Sequence, residues 1–167
     1  YAIDGSNVLL CLSVNGRPSV RAFAGLLEHL KQKGHSYQIF FDNSIRVHMR
    51  TRNSEAEWVQ LERAIRAADV QIVFAPHADP VLQAYCQQNG AALINGTDKM
   101  DSWKDRGDVP TVVHRARVLN RAKGVSVALM DDATGQFVTQ FPLPDVVILG
   151  GIPFAQTDGP QEAASVI

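Results

Sequence analysis

The sequence predicts an α/β fold: a parallel sheet with helices on both faces, closed by a C-terminal hairpin or arm. Short apolar runs of strand length alternate with amphipathic runs of helix length from the start of the chain to Asp98. Acidic residues recur where those strands end. Beyond about residue 110 the alternation gives way to two apolar runs around Asp131-Asp132-Ala133-Thr134-Gly135, a hairpin signal.

Residues 1–4 read as a buried strand that ends in Asp4 and breaks at Gly5. Pro18 and Ser19 open a helix over Val20 to Lys33, because Phe23, Leu26, Leu27 and Leu30 recur at helical spacing. Gly34 stops it. Tyr37 to Phe41 is a strand ending at Asp42. Ser54 starts a second helix with Trp58, Leu61 and Ile65 on one face, and Val70 to Phe74 is a third strand. Asp79-Pro80 has the form of an N-cap followed by proline at the first helical position. The helix it opens buries Val81, Leu82, Tyr85 and Cys86 and ends near Asn89-Gly90. Ala91 to Ile94 is the fourth strand, followed by Asn95-Gly96-Thr97-Asp98. Val112 to Leu119 suits helix or strand. Val125 to Met130 and Gln136 to Gln140 flank the hairpin turn, and Val146 to Leu149 suits a last strand or a packing arm.

A chain of 167 residues fits one domain with a sizeable core. The expected division is a domain over residues 1–140 and a C-terminal extension, 141–167, that packs on it or extends from it. The composition, 46% hydrophobic and 20% charged, is that of a globular protein. A net charge of −1 excludes a global basic field, so a polyanion must be held by local patches or by cations. Cys11 and Cys86 form no C-x-x-C pair and have no histidine cluster beside them, which argues against zinc and for small buried residues in a reducing, cytoplasmic setting. No apolar run is long enough to span a membrane, and no signal peptide is visible. The start inside a strand without methionine suggests a fragment or a processed chain.

In a parallel sheet the strand ends lie at one edge, where ligands collect. Asp4, Asp42, Asp79 and Asp98 all fall at strand ends or at the start of the next helix, and Asp101 lies one helical turn beyond Asp98. Carboxylates gathered in this way are placed to hold hard cations such as Mg²⁺, which can activate water and stabilise a leaving oxygen. Asn7, near Asp4, is placed to orient a phosphate or a water. Each residue also has a plainer role. Asp4 or Ser6 suits a helix cap, Asp79 an N-cap, Asp42 a turn, Asp98 a cap and Asp101 a solvated face.

Ile3-Asp4-Gly5-Ser6-Asn7-Val8 resembles the first motif of the PIN/NYN-domain nucleases, in particular the NYN domains of Regnase-type CCCH-zinc-finger endoribonucleases and their bacterial relatives. His77-Ala78-Asp79-Pro80 and Ala91 through Asp98 resemble that family's central acidic helix, strand and following acidic turn. The resemblance spans roughly residues 1–140. It implies a PIN-like (Rossmann-like) sheet and an endoribonuclease that uses Mg²⁺ or Mn²⁺ on mainly single-stranded RNA. Asp4, Asp79 and Asp98 would hold the metal, with Asn7 and Asp101 also catalytic. The family often has two adjacent acids where this chain has Ala78-Asp79. Its next acid usually follows Asp98 by four residues, where this chain has Ser102. No zinc finger is present.

Basic residues supply the substrate contacts. Arg46, Arg50 and Arg52 follow the second strand without an intervening acid, and Lys99, Lys104 and Arg106 follow Asp98. Both groups should flank the acids and meet phosphates, as should Ser6. Arg115, Arg117, Arg121 and Lys123 form a third group that also suits a solvated face. His48 and His77 suit substrate contacts or incidental positions, and Trp103 a base stack or the core. The expected partner is RNA, with no membrane; a homodimer or protein partner stays open. The rival readings are a non-catalytic RNA- or protein-binding module on this fold and a phosphatase-like hydrolase. The latter lacks a second acid two residues after Asp4.

Overall fold

Strand β1 (Ala2–Asp4) buries all its residues, as a central strand of a parallel sheet must. Alternate side chains go to opposite faces. Ile3 joins the larger core cluster and Ala2 the smaller. The computed structural model describes residues 1–105, 107 and 109–156.

Asp4 does not lead into a break at Gly5. Helix α1 (Gly5–Cys11) begins there, with Asp4 as its N-cap, and so corrects the sequence expectation. Glycine is needed because a Cβ at Gly5 would lie 2.7 Å from Cε1 of Phe41. A small hairpin, β2 (Ser13–Val14) with β3 (Arg17–Pro18), leads to α2 (Val20–Gln32). Ser19 caps α2 by accepting the Ala22 N–H at 3.0 Å.

Strand β4 (Gln38–Asp42) is followed by α3 (Ile45–Thr51), which the apolar pattern had not indicated, and by α4 (Glu55–Ala67). Next come β5 (Ile72–Ala75), α5 (Ala78–Asn89), β6 (Leu93–Asn95) and the short α6 (Asp101–Asp105). Gly90 ends α5 in the left-handed conformation, at φ 60°. The run from Val112 to Leu119, open between helix and strand in the sequence, falls almost wholly in β7 (Val113–Arg121). With β8 (Gly124–Asp131) and β9 (Phe137–Pro142) that strand makes a meander.

These strands form one seven-stranded sheet in the order β5-β4-β1-β6-β7-β8-β9. The first five run parallel, β8 runs antiparallel to β7, and β9 runs antiparallel to β8. Helices α1, α2 and α4 contribute to the larger core, and α5 and α6 to the smaller one on the other face. The chain moves outward from β1 through β4 to β5 and then returns to β6 on the opposite side of β1. The boundary between β1 and β6 is therefore the topological switch point of a Rossmann-like α/β sheet, the usual place for a ligand.

A second hairpin, β10 (Val146–Leu149) with β11 (Ile152–Ala155), turns at Gly150-Gly151. Leu143, Val147, Leu149 and Phe154 belong to the larger core, so residues 143–156 pack on the body of the domain. No helix of the described residues is long and apolar enough to cross a membrane.

Candidate metal centre and nucleic-acid interface

Asp4, Asp79 and Asp98 converge. One carboxylate oxygen from each lies within 4.8 Å of the others. Three separate elements deliver them: the end of β1, the first turn of α5 and the loop after β6. All lie at the carboxyl edge of the parallel strands, beside the switch point.

Asp4 is only 4% exposed. Burial is the main cause that pushes its carboxyl up to about 7, and the charge of Asp79 adds to it. Asp42 and Asp98 push the same way, whereas the Asn7 backbone N–H, 3.4 Å from Asp4 Oδ1, opposes them. Repelling carboxylates in a partly dry cleft are relieved by a proton or a cation. The all-oxygen donor set fits a hard divalent ion.

The neighbouring residues hold this geometry. Asn7 Oδ1 accepts the Gly96 N–H at 2.8 Å and the Asp98 N–H at 3.4 Å, so α1 grips the loop that carries Asp98. Gly96 is tightly constrained, because a Cβ there would lie 2.7 Å from both Asn7 Oδ1 and Cys11 Cβ. Asp98 Oδ1 accepts the Met100 N–H at 3.1 Å, a local cap beside its part in the trio.

Asp42 points to the same edge but does a different job. Its Oδ1 accepts the Ala78 N–H at 2.8 Å. The N-cap of α5 is His77, which makes no side-chain cap bond. Asp79 is thus the second residue of the helix and not its N-cap, which corrects that alternative. Ser6 is buried, and its Oγ accepts the Asp42 N–H at 2.9 Å, tying α1 to β4.

Arg115 supplies a support that sequence reasoning missed. Its guanidinium donates to the carbonyls of Gly96 at 2.8 Å and Asp98 at 2.5 Å, and its Nε pairs with Asp132 at 2.7 Å. The side chain is 15% exposed. Asp132, in the turn after β8, thereby braces the acid loop. Asn95 also stands at this edge, fully buried, with its Nδ2 unpartnered among the described residues.

The remaining candidates are not members of the trio. Asp101 begins α6 and is exposed, outside the trio. Arg46 pairs with Glu62 at 3.1 Å and Arg50 with Glu55 at 3.2 Å, both on the surface. Arg52 donates to the His48 carbonyl at 2.9 Å. Lys99 and Lys104 are exposed near the acid loop, as are His48 and His77 on their own elements. Trp103 is fully buried in the smaller core, so it presents no face for a base. Arg106 lies outside the described residues.

In comparisons with known proteins, no family model and no curated protein matches this chain.

Proposed function

We propose that this chain is a metal-dependent endoribonuclease of PIN/NYN type that hydrolyses phosphodiester bonds of mainly single-stranded RNA with Mg²⁺ or Mn²⁺. The observation that carries this reading is the meeting of Asp4, Asp79 and Asp98 within 4.8 Å at the switch point of the sheet. The resemblance of residues 3–8 to the family's first motif supports it.

Asp4, Asp79 and Asp98 would hold the ion. When bound, such an ion lowers the pKa of a water and offsets charge on the phosphate. Asn7 keeps the Asp98 loop against β1 through its Oδ1. Its Nδ2 makes no hydrogen bond among the described residues and is available to a phosphate oxygen. Asp42 fixes the start of α5 and so the position of Asp79. Lys99 and Lys104 add positive charge beside the acids.

A second reading is a non-catalytic RNA- or protein-binding module. Ala78 favours it, since it stands where the family often has a second acid and is only 1% exposed in the core. Incubation of an end-labelled single-stranded RNA with Mg²⁺, Mn²⁺ or EDTA separates the two. Internal cleavage with either cation and none in EDTA supports the nuclease. Mn²⁺ binding without turnover selects the second reading.

A further inference from the structure

Strand β7 continues past the acid edge. Its Arg115 pairs in register with Asn95, the last residue of β6, and β7 then runs on to Arg121. Six further residues at roughly 3.3 Å each carry the β7–β8 ribbon about 20 Å beyond that edge. It stands as a wall beside the Asp98 loop.

Strand alternation puts Arg115, Arg117 and Arg121 on one face of the ribbon. This is the face that carries Val113 in the smaller core, on the side of the sheet covered by α5 and α6. Arg115 is committed to the loop and to Asp132. Arg117 is half-buried, and its side chain hydrogen-bonds Cys11, but among the described residues no carboxylate holds it. Its Nη1 donates to the carbonyls of Ala116 at 3.1 Å and, more weakly, of Gly96 at 3.4 Å. Among the described residues, no ion pair includes Arg117, Arg121 or Lys123. Arg121 and Lys123 are exposed at the ribbon's turn. No Asp or Glu occurs from Val109 to Met130. Opposite Leu119 and Arg121 on β8 stand Ser126 and Gly124, small residues that leave the floor beside these side chains low.

Arg117 is also close to the reacting edge. The residue whose carbonyl it touches, Gly96, is the one whose N–H Asn7 holds at 2.8 Å. A strand whose phosphate sits at the acids therefore meets Arg117 next and the turn residues further out.

We propose that this face of the β7–β8 ribbon, with Arg117 nearest the acids and Arg121 and Lys123 beyond, is the track for the phosphate backbone of a single-stranded RNA. The inference rests on the nuclease reading and extends it. The track is sequence-independent, because its contacts are cations on phosphates.

The test is fluorescence anisotropy of a labelled single-stranded RNA in EDTA, where cleavage is stopped, over a range of salt. The proteins are wild type, Arg117→Gln and the double variant Arg121→Glu/Lys123→Glu. Circular dichroism checks the fold, and Mn²⁺ titration reads the acid trio separately. The double variant changes only exposed residues and is expected to fold. Each lost phosphate contact should flatten the slope of log K against log salt by roughly 0.7, and affinity at low salt should fall several-fold. Wild-type binding with an unchanged slope in both variants overturns the track while leaving the nuclease reading in place. Failure of the wild type to bind or cleave RNA overturns both.

Discussion

The carboxylate of Asp42, at the end of β4, accepts the backbone N–H of Ala78 at 2.8 Å and so caps the helix that carries Asp79. The cap comes from a neighbouring strand, not from the residue before the helix. It fixes one member of the acid trio to the sheet that presents another. Asp42→Ala should cost about 1 kcal/mol, the usual value of a lost cap, and should weaken Mn²⁺ binding by loosening Asp79. Asp42→Asn keeps an acceptor and should recover most of the stability. Thermal melts and Mn²⁺ titrations of both variants check this. Equal melting temperatures for Asp42→Ala and wild type would count against the cap.

Asp79 itself should separate binding from stability. It lies in the first turn of α5, where a negative charge helps the helix by only about 0.3–1 kcal/mol. Asp79→Asn and Asp79→Ala should therefore melt close to wild type yet both lose Mn²⁺ affinity and RNA cleavage. A large loss of stability in the alanine variant alone would restore a capping role.

Arg115 joins the loop of Gly96 and Asp98 to Asp132. Arg115→Met fills similar space but leaves those carbonyls without a donor and Asp132 without its partner. Breaking such charge-assisted bonds should lower the melting temperature and weaken Mn²⁺ binding severalfold. Arg115→Lys, with a single charged head in place of the fork, should recover part of the affinity. Mn²⁺ dissociation constants for the series decide it, and an unchanged constant in Arg115→Met would remove the loop from the metal site.

The pH dependence follows from Asp4. In the folded, metal-free protein its carboxyl keeps a proton to about pH 7. An unfolded aspartic acid loses its proton near pH 4. Between those values the folded state binds more protons, so the contribution of Asp4 to stability is full below about pH 4 and declines as pH rises to about 7. The shift sets this at roughly 4 kcal/mol. Asp4→Asn should flatten that decline and melt higher than wild type at pH 8 without metal. Mn²⁺ affinity of the wild type should rise with pH up to about 7, as cation and proton compete. Parallel stability curves for the two proteins would contradict the assignment.

The parallel sheet and the acid trio were legible because each rests on local pattern. Apolar runs marked the strands, and an acid followed each one at the edge that the topology brings together. Helix α1 was legible only through the cap reading of Asp4, since the seven residues from Gly5 to Cys11 show no helical periodicity and Gly5 reads as a break. Its start depends on Phe41, distant in sequence, which excludes a side chain there. The cap of α5 and the Arg115 support were hidden for the same reason. Asp42 and Ala78, like Arg115 and Gly96, are joined only by the fold. By contrast, β11 had a readable signal in Gly150-Gly151, whose φ values of 57° and 75° suit a two-residue hairpin.

On the proposed nuclease reading, the carboxylate of Asp4 makes the cleavage of RNA depend on a divalent ion. The most direct test compares wild type with Asp4→Asn on one labelled single-stranded RNA, in Mn²⁺ and in EDTA, beside a Mn²⁺ titration and a melt of each protein. Asparagine is nearly as good a cap for α1 and removes the charge with little change in volume. Wild type should cleave the RNA internally in Mn²⁺ and not in EDTA, and Asp4→Asn should fold, bind Mn²⁺ weakly and not cut. Undiminished cleavage by Asp4→Asn, or cleavage by wild type in EDTA, would overturn the nuclease reading of this site.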